Sequence, residues 1–243
     1  MKNQATRIFS LLLLGSVLSV SVSTLAAPKE GHRKPNRQKS TLIKAPGDQI
    51  IIKDFTASKG WTSVVPMNIN GDDASDLLSY NSKTGRAVSS VASGLGDQTI
   101  VKDLIASPGW TSVVPMNLNG DGLTDLLSYN STTGRAVYSI ASGTKGDQII
   151  VKDVLASPGW TSVVPMNLNT DKLTDLLSYN SKTGRAVYSI ASGAVGNQTI
   201  VKDLLASPGW TSVVPMNLNG DVITDLLSYN KKTGRAVYSL GAL

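Results

Sequence analysis

The chain contains no cysteine. Disulfides, thiolate metal sites, cysteine nucleophiles and lipid attachment through cysteine are therefore excluded. It has one histidine, His32, and one glutamate, Glu30, both in a polar stretch near the N-terminus. Residues 47–243 thus hold no His, Cys or Glu, which removes most of the usual general bases and activated nucleophiles. An enzyme would have to work with Asp, Tyr, Lys, Arg or a bound metal, and the chain reads as a non-enzyme. Aromatic residues are few, 5% of the chain. Beyond the first residues, no segment approaches the roughly 20 continuous apolar residues of a membrane-spanning helix.

What remains is enough to build a core. Hydrophobic residues make up 41% of the 243 positions and charged residues 16%, which separates the chain from disordered polymers. The formal charge of +6 is unevenly placed. Residues 47–243 carry 15 Lys+Arg against 16 Asp, so the excess belongs to the N-terminal segments. A basic groove for nucleic acid is not supported.

Lys2 and Arg7 precede the run IFSLLLLGSVLSV and the small-residue exit STLAAP. This is the layout of a secretory signal peptide over residues 1–26, with cleavage expected after Ala26 and no transmembrane segment left behind. The expected location is outside the cell, on its surface or in the periplasm. Residues 27–46 (APKEGHRKPNRQKSTLIKAP) form a basic, proline-containing arm. A solvated linker and a cationic arm for an anionic surface are its two readings.

Residues 47–243 are four copies of one unit. Trp61, Trp110, Trp160 and Trp210 mark them at intervals of 49, 50 and 50 residues. Gly96–Lys145 and Gly146–Val195 differ at only 8 of 50 positions. A period near 50 residues points to a propeller or a related repeat architecture. In the second copy TIVKDLIA, TSVVPMNL, TDLLSY and RAVYSIAS are β-rich runs, cut by Ser107-Pro108-Gly109, by the Asn119–Gly122 loop and by the Asn130–Gly134 hairpin loop. Four short strands per unit make one blade. Pro115 inside the second run is expected at a strand end or bulge. The chain enters with QIIIKDF, a fourth-type strand without a blade, and ends with three strands lacking a fourth. The expected fold is an all-β propeller of four near-identical blades closed by strands from both termini. Two chains pooling their copies into a larger ring, as a homodimer, is the alternative.

Each copy also carries a loop of alternating oxygen-bearing residues. In the second it is Asn117, Asn119, Asp121, the Leu123 carbonyl and Asp125; in the first Asn68, Asn70, Asp72 and Asp76. In the third it is Asn167, Asn169, Asp171 and Asp175; in the fourth Asn217, Asn219, Asp221 and Asp225. Oxygens at alternate positions can converge on a hard cation, which takes six to eight of them. NLNGDGLTDLLSYNSTTG resembles the integrin-α-type FG-GAP or VCBS repeat, and the resemblance extends over all four units. It implies a β-propeller with a calcium loop on each blade, in exported proteins that include adhesins and lectins. Two departures weaken the calcium expectation. The family's first Asp is Asn in every copy, and glycine at the sixth place occurs only as Gly122, against Asp73, Lys172 and Val222. The second loop is the best candidate and the third the poorest. The other reading is a loop held by Asx-type hydrogen bonds without metal.

The recurring tryptophans also have two readings: platforms that stack on sugar rings, or large side chains wedged between blades. Asp54, Asp103, Asp153 and Asp203 read as structural, and Arg86, Arg135, Arg185 and Arg235 as solvated or paired on the rim. A secreted, multivalent glycan-binding module is the leading expectation. A protein-interaction or surface scaffold without a small ligand is the alternative.

Overall fold

A computed structural model describes residues 57–143 and 145–242. They form fifteen strands in four antiparallel sheets and no helix, arranged as the blades of a four-bladed β-propeller. Blade one is β1 (Ser63–Met67), β2 (Asp76–Tyr80), β3 (Arg86–Gly94) and β4 (Asp97–Ile105). Blade two is β5 (Ser112–Met116), β6 (Asp125–Tyr129), β7 (Arg135–Ser142) and β8 (Asp147–Leu155). Blade three is β9 (Ser162–Met166), β10 (Asp175–Tyr179), β11 (Arg185–Ala191) and β12 (Gln198–Leu205). Blade four has three strands, β13 (Ser212–Met216), β14 (Asp225–Tyr229) and β15 (Ala236–Ser239). Each sheet is a simple meander in chain order. The expected signal peptide, the basic arm and the closing strand Gln49–Phe55 lie outside the described residues.

The local chemistry explains each element. In the second hairpin loop Gly134 takes φ = 78°, a left-handed conformation that glycine adopts without a Cβ clash. Asn130 organises the same loop: its side-chain oxygen accepts the amides of Thr132 and Thr133 at 2.9 and 3.0 Å. Pro115 stands one residue from the end of β5, opposite Leu126. Because β5 is the first strand of its sheet, the missing N–H falls on the unpaired side. A register shift at Tyr138/Ser139 bends the long β7–β8 pair.

The first strands β1, β5, β9 and β13 lie side by side and line the inside of the arrangement. The fourth strands β4, β8 and β12 form the perimeter. The core lies between sheets. Val114, Met116, Leu118 and Tyr129 of blade two pack with Trp160, Leu176 and Val187 of blade three. The same packing recurs between blades three and four. Each buried aliphatic side chain contributes on the order of 2 kcal/mol, so most of the stability resides at these junctions.

Two hydrogen-bonded fasteners cross each of the three junctions. The first is a tyrosine latch. Tyr80 Oη donates to the Ser107 carbonyl at 2.8 Å and accepts the Trp110 amide at 3.2 Å. Tyr129 and Tyr179 do the same one and two blades later. The second is a bridge between loops. The Asn68 amide donates to Thr124 Oγ1 at 2.7 Å, and the Thr124 amide donates to the Asn68 carbonyl at 2.9 Å. Asn117 with Thr174, and Asn167 with Thr224, repeat it.

Candidate functional site

The acidic loops are the first candidate. In the second loop Asn117 Oδ1 accepts the Gly120 amide at 2.7 Å, and Asn119 Oδ1 accepts the Asp121 amide at 3.1 Å. Asp121 Oδ1 accepts the Leu123 amide at 2.8 Å, and Asp121 Oδ2 accepts Asn119 Nδ2 at 2.7 Å. Asn70 and Asp72 of the first loop, Asn169 and Asp171 of the third, and Asn219 and Asp221 of the fourth repeat this pattern. Asn68, Asn167 and Asn217 likewise accept the amide three residues on. The loop oxygens are therefore engaged by amides of the loop itself, mostly backbone ones. Among the described residues no three His, Cys, Asp or Glu side chains group as a metal site. These are the hydrogen bonds of an Asx-bonded loop.

The ninth-position aspartates have a distinct role. Asp76, Asp125, Asp175 and Asp225 are all fully buried. Asp125 Oδ2 accepts the Leu118 amide at 2.6 Å and Oδ1 accepts the Ala141 amide at 2.8 Å. It thus ties the loop to β7; Asp76 and Asp175 do the same in blades one and three, and Asp225 reaches Gly241 just beyond β15. Burial pushes the Asp125 and Asp175 carboxyls above their ordinary value, while backbone amides pull each back down.

The tryptophans sit at the junctions. Trp110, Trp160 and Trp210 are only 7–8% exposed, and Trp61 is half-buried. An arginine lies over each ring: Arg86, Arg135, Arg185 and Arg235 stand 5.1–5.3 Å from the ring centres of Trp61, Trp110, Trp160 and Trp210. Three of these arginines also grip an aspartate on the neighbouring strand. Arg135 Nε and Nη2 donate to Asp153 Oδ1 and Oδ2 at 3.0 and 2.6 Å, a two-point contact repeated by Arg86–Asp103 and Arg185–Asp203. Hydrogen bonding to arginine holds the Asp103, Asp153 and Asp203 carboxyls below the usual carboxylate value. The strand aspartates are thus structural, with Asp54 outside the described residues.

A cleft of about 590 Å³ opens between blades one and two. Trp110 and Tyr80 supply its aromatic surface, Ser89 and Ser139 hydroxyls, and Lys102 and Arg135 cations. A smaller cleft of about 210 Å³ lies between blades three and four, with Tyr179, Trp210 and Arg235 in its wall. One residue distinguishes the two walls. Blade one has Ser89 at the position filled by Tyr138, Tyr188 and Tyr238 in the others. At the junction of blades two and three Tyr138 occupies that space within the core, and burial pushes its hydroxyl up to about 12. Comparing the first copy with the second along the sequence exposes this substitution; comparing the second with the third does not.

The fold and the junctions define a repeat β-propeller with clefts between blades. Neither a family model nor a curated protein matches the chain.

Proposed function

We propose that this is an exported repeat propeller that binds carbohydrate at clefts between its blades, in the manner of a multivalent lectin or adhesin. The cleft between blades one and two carries the reading. It sets an apolar floor, with the edge of the largely buried Trp110, beside hydroxyl, ammonium and guanidinium groups that can bond sugar hydroxyls. Its volume of about 590 Å³ falls in the range of small-ligand sites. The leader-like N-terminus supports export, and the FG-GAP-like repeat pattern agrees with an extracellular binding role. The smaller cleft between blades three and four offers a second place, and two weak sites on one rigid body gain in avidity. The lack of His and Glu in the repeats argues against catalysis.

The second reading, a protein-binding scaffold, has its own support. Ile105, Leu155 and Leu205 stand 72–80% exposed at corresponding places on the perimeter strands. A glycan array separates the two readings, run with calcium and with chelator on the protein and on Ser89→Tyr. Tyrosine is native at the corresponding positions of the other blades, so the variant fills the cleft without a foreign side chain. Glycan binding reduced at least tenfold by Ser89→Tyr supports the cleft. Binding that survives chelation separates the sugar site from the acidic loops. Silence on all glycans leaves the scaffold reading.

A further inference from the structure

Three blade junctions are built alike, and among the described residues blades one and four each leave one half of such a junction exposed. On blade four, Tyr229 is 38% exposed, whereas its counterparts Tyr80, Tyr129 and Tyr179 are each 2% exposed. Val214, Leu218 and Tyr238 of the same blade are exposed, while Val114, Leu118 and Tyr138 are buried in the core. On blade one, Val64 is 58% exposed and Ser75 lies open, although their counterparts in blades two to four are half-buried. Trp61 is likewise more open than Trp110, Trp160 and Trp210. Among the described residues, neither the tyrosine latch nor the loop bridge runs from blade four to blade one. Asn217 Nδ2 instead turns to the Asp221 carbonyl of its own loop.

These two faces carry the chemistry of a finished junction. Tyr229 has the hydroxyl that would meet the Ser58 carbonyl and the Trp61 amide. Ser75 has the hydroxyl that Thr124, Thr174 and Thr224 offer to the asparagine amide of the preceding blade. We propose that the exposed face of blade four receives blade one of a second copy of this chain, and the reverse, so that two copies form one two-fold ring. The partner is specified by the interface itself, which the chain already makes three times internally. A contact between unlike faces propagates head to tail until it closes. Two copies give eight blades, at the upper end of the usual range. Each seam then sets Tyr229 and Tyr238 of one chain beside Trp61 and Arg86 of the other. This inference does not depend on carbohydrate binding.

The absence of cysteine allows a direct test. The purified protein should have twice the mass of one chain by light scattering; a monomer mass, or a mass that grows without limit with concentration, overturns the proposal. Ser75→Cys and Asn217→Cys place two thiols where the loop bridge of the seam belongs. The double variant, oxidised with copper phenanthroline, should run as a covalent dimer on a non-reducing gel, and a mixture of the two single variants should do the same. An intramolecular bond in a monomer would mean that one chain closes the ring alone and would overturn the proposal. Tyr229→Asp, at a position exposed within the single chain, should yield a folded monomer with an unchanged circular dichroism spectrum. A dimer that persists in this variant counts against the seam.

Discussion

Asp121 and Asp125 lie four residues apart in one loop and have different duties. Asp121 is exposed and accepts a nearby amide, whereas Asp125 is buried and joins loop to strand. Asp125→Ala leaves two buried amides unpaired and should lower stability by about 3 kcal/mol, against about 1 kcal/mol for Asp121→Ala. Urea unfolding in calcium and in chelator checks both: the losses should be the same in either buffer, and a loss confined to calcium would restore the ion. The third loop holds another residue-scale feature. Thr170 and Lys172 adopt φ of 69° and 68°, where the second copy has Gly120 and Gly122. That conformation costs a side chain about 1–2 kcal/mol. Thr170→Gly should therefore raise the melting temperature, and a fall would mean that the threonine side chain contributes more than its backbone strain costs. The alternating oxygens were legible in the sequence. The amide bonds they make were not, because Asx turns and a cation call for the same residue types at the same spacing.

At the scale of the element, each perimeter strand is fastened by its arginine–aspartate pair. The Asp103, Asp153 and Asp203 carboxyls have lowered values, so these pairs contribute fully above the unfolded carboxylate value of about 3.9 and fade as pH falls through the lowered values. Asp125 and Asp175 have the opposite sign. Their raised values favour the fold below the unfolded value, and this contribution is lost as pH climbs through the raised ones. In an acid titration followed by melting temperature, Arg135→Gln should flatten the decline below about pH 4 that belongs to the pair. An unchanged acid limb would remove the pair from the account. Strand boundaries were largely readable, since Pro-Gly and Asn-to-Gly punctuation sets them: TDLLSY gave β6 to within a residue. The tryptophan environment was less readable. Its covering arginine comes from the next hairpin, 25 residues later, and only the folded blade brings the two together.

For the whole molecule, the 50-residue period was sufficient to indicate blades, because copies this alike must bury their apolar faces against one another. The junction fasteners were not visible, since a tyrosine within a strand carries no mark of the connector it reaches. Removing one hydroxyl measures its part in the assembly: Tyr129→Phe should cost about 1–2 kcal/mol in urea unfolding. A change below about 0.5 kcal/mol would assign cohesion to packing alone.

The tyrosine latch also has a direction. Tyr80 reaches forward to the linker entering blade two, Tyr129 to that entering blade three, and Tyr179 to that entering blade four. Synthesis runs from the amino end, so each hydroxyl is already in place when the stretch it grips is made. Assembly can then advance one unit at a time behind the growing end, and near-duplicate neighbours are kept in order by their time of arrival as well as by their sequence.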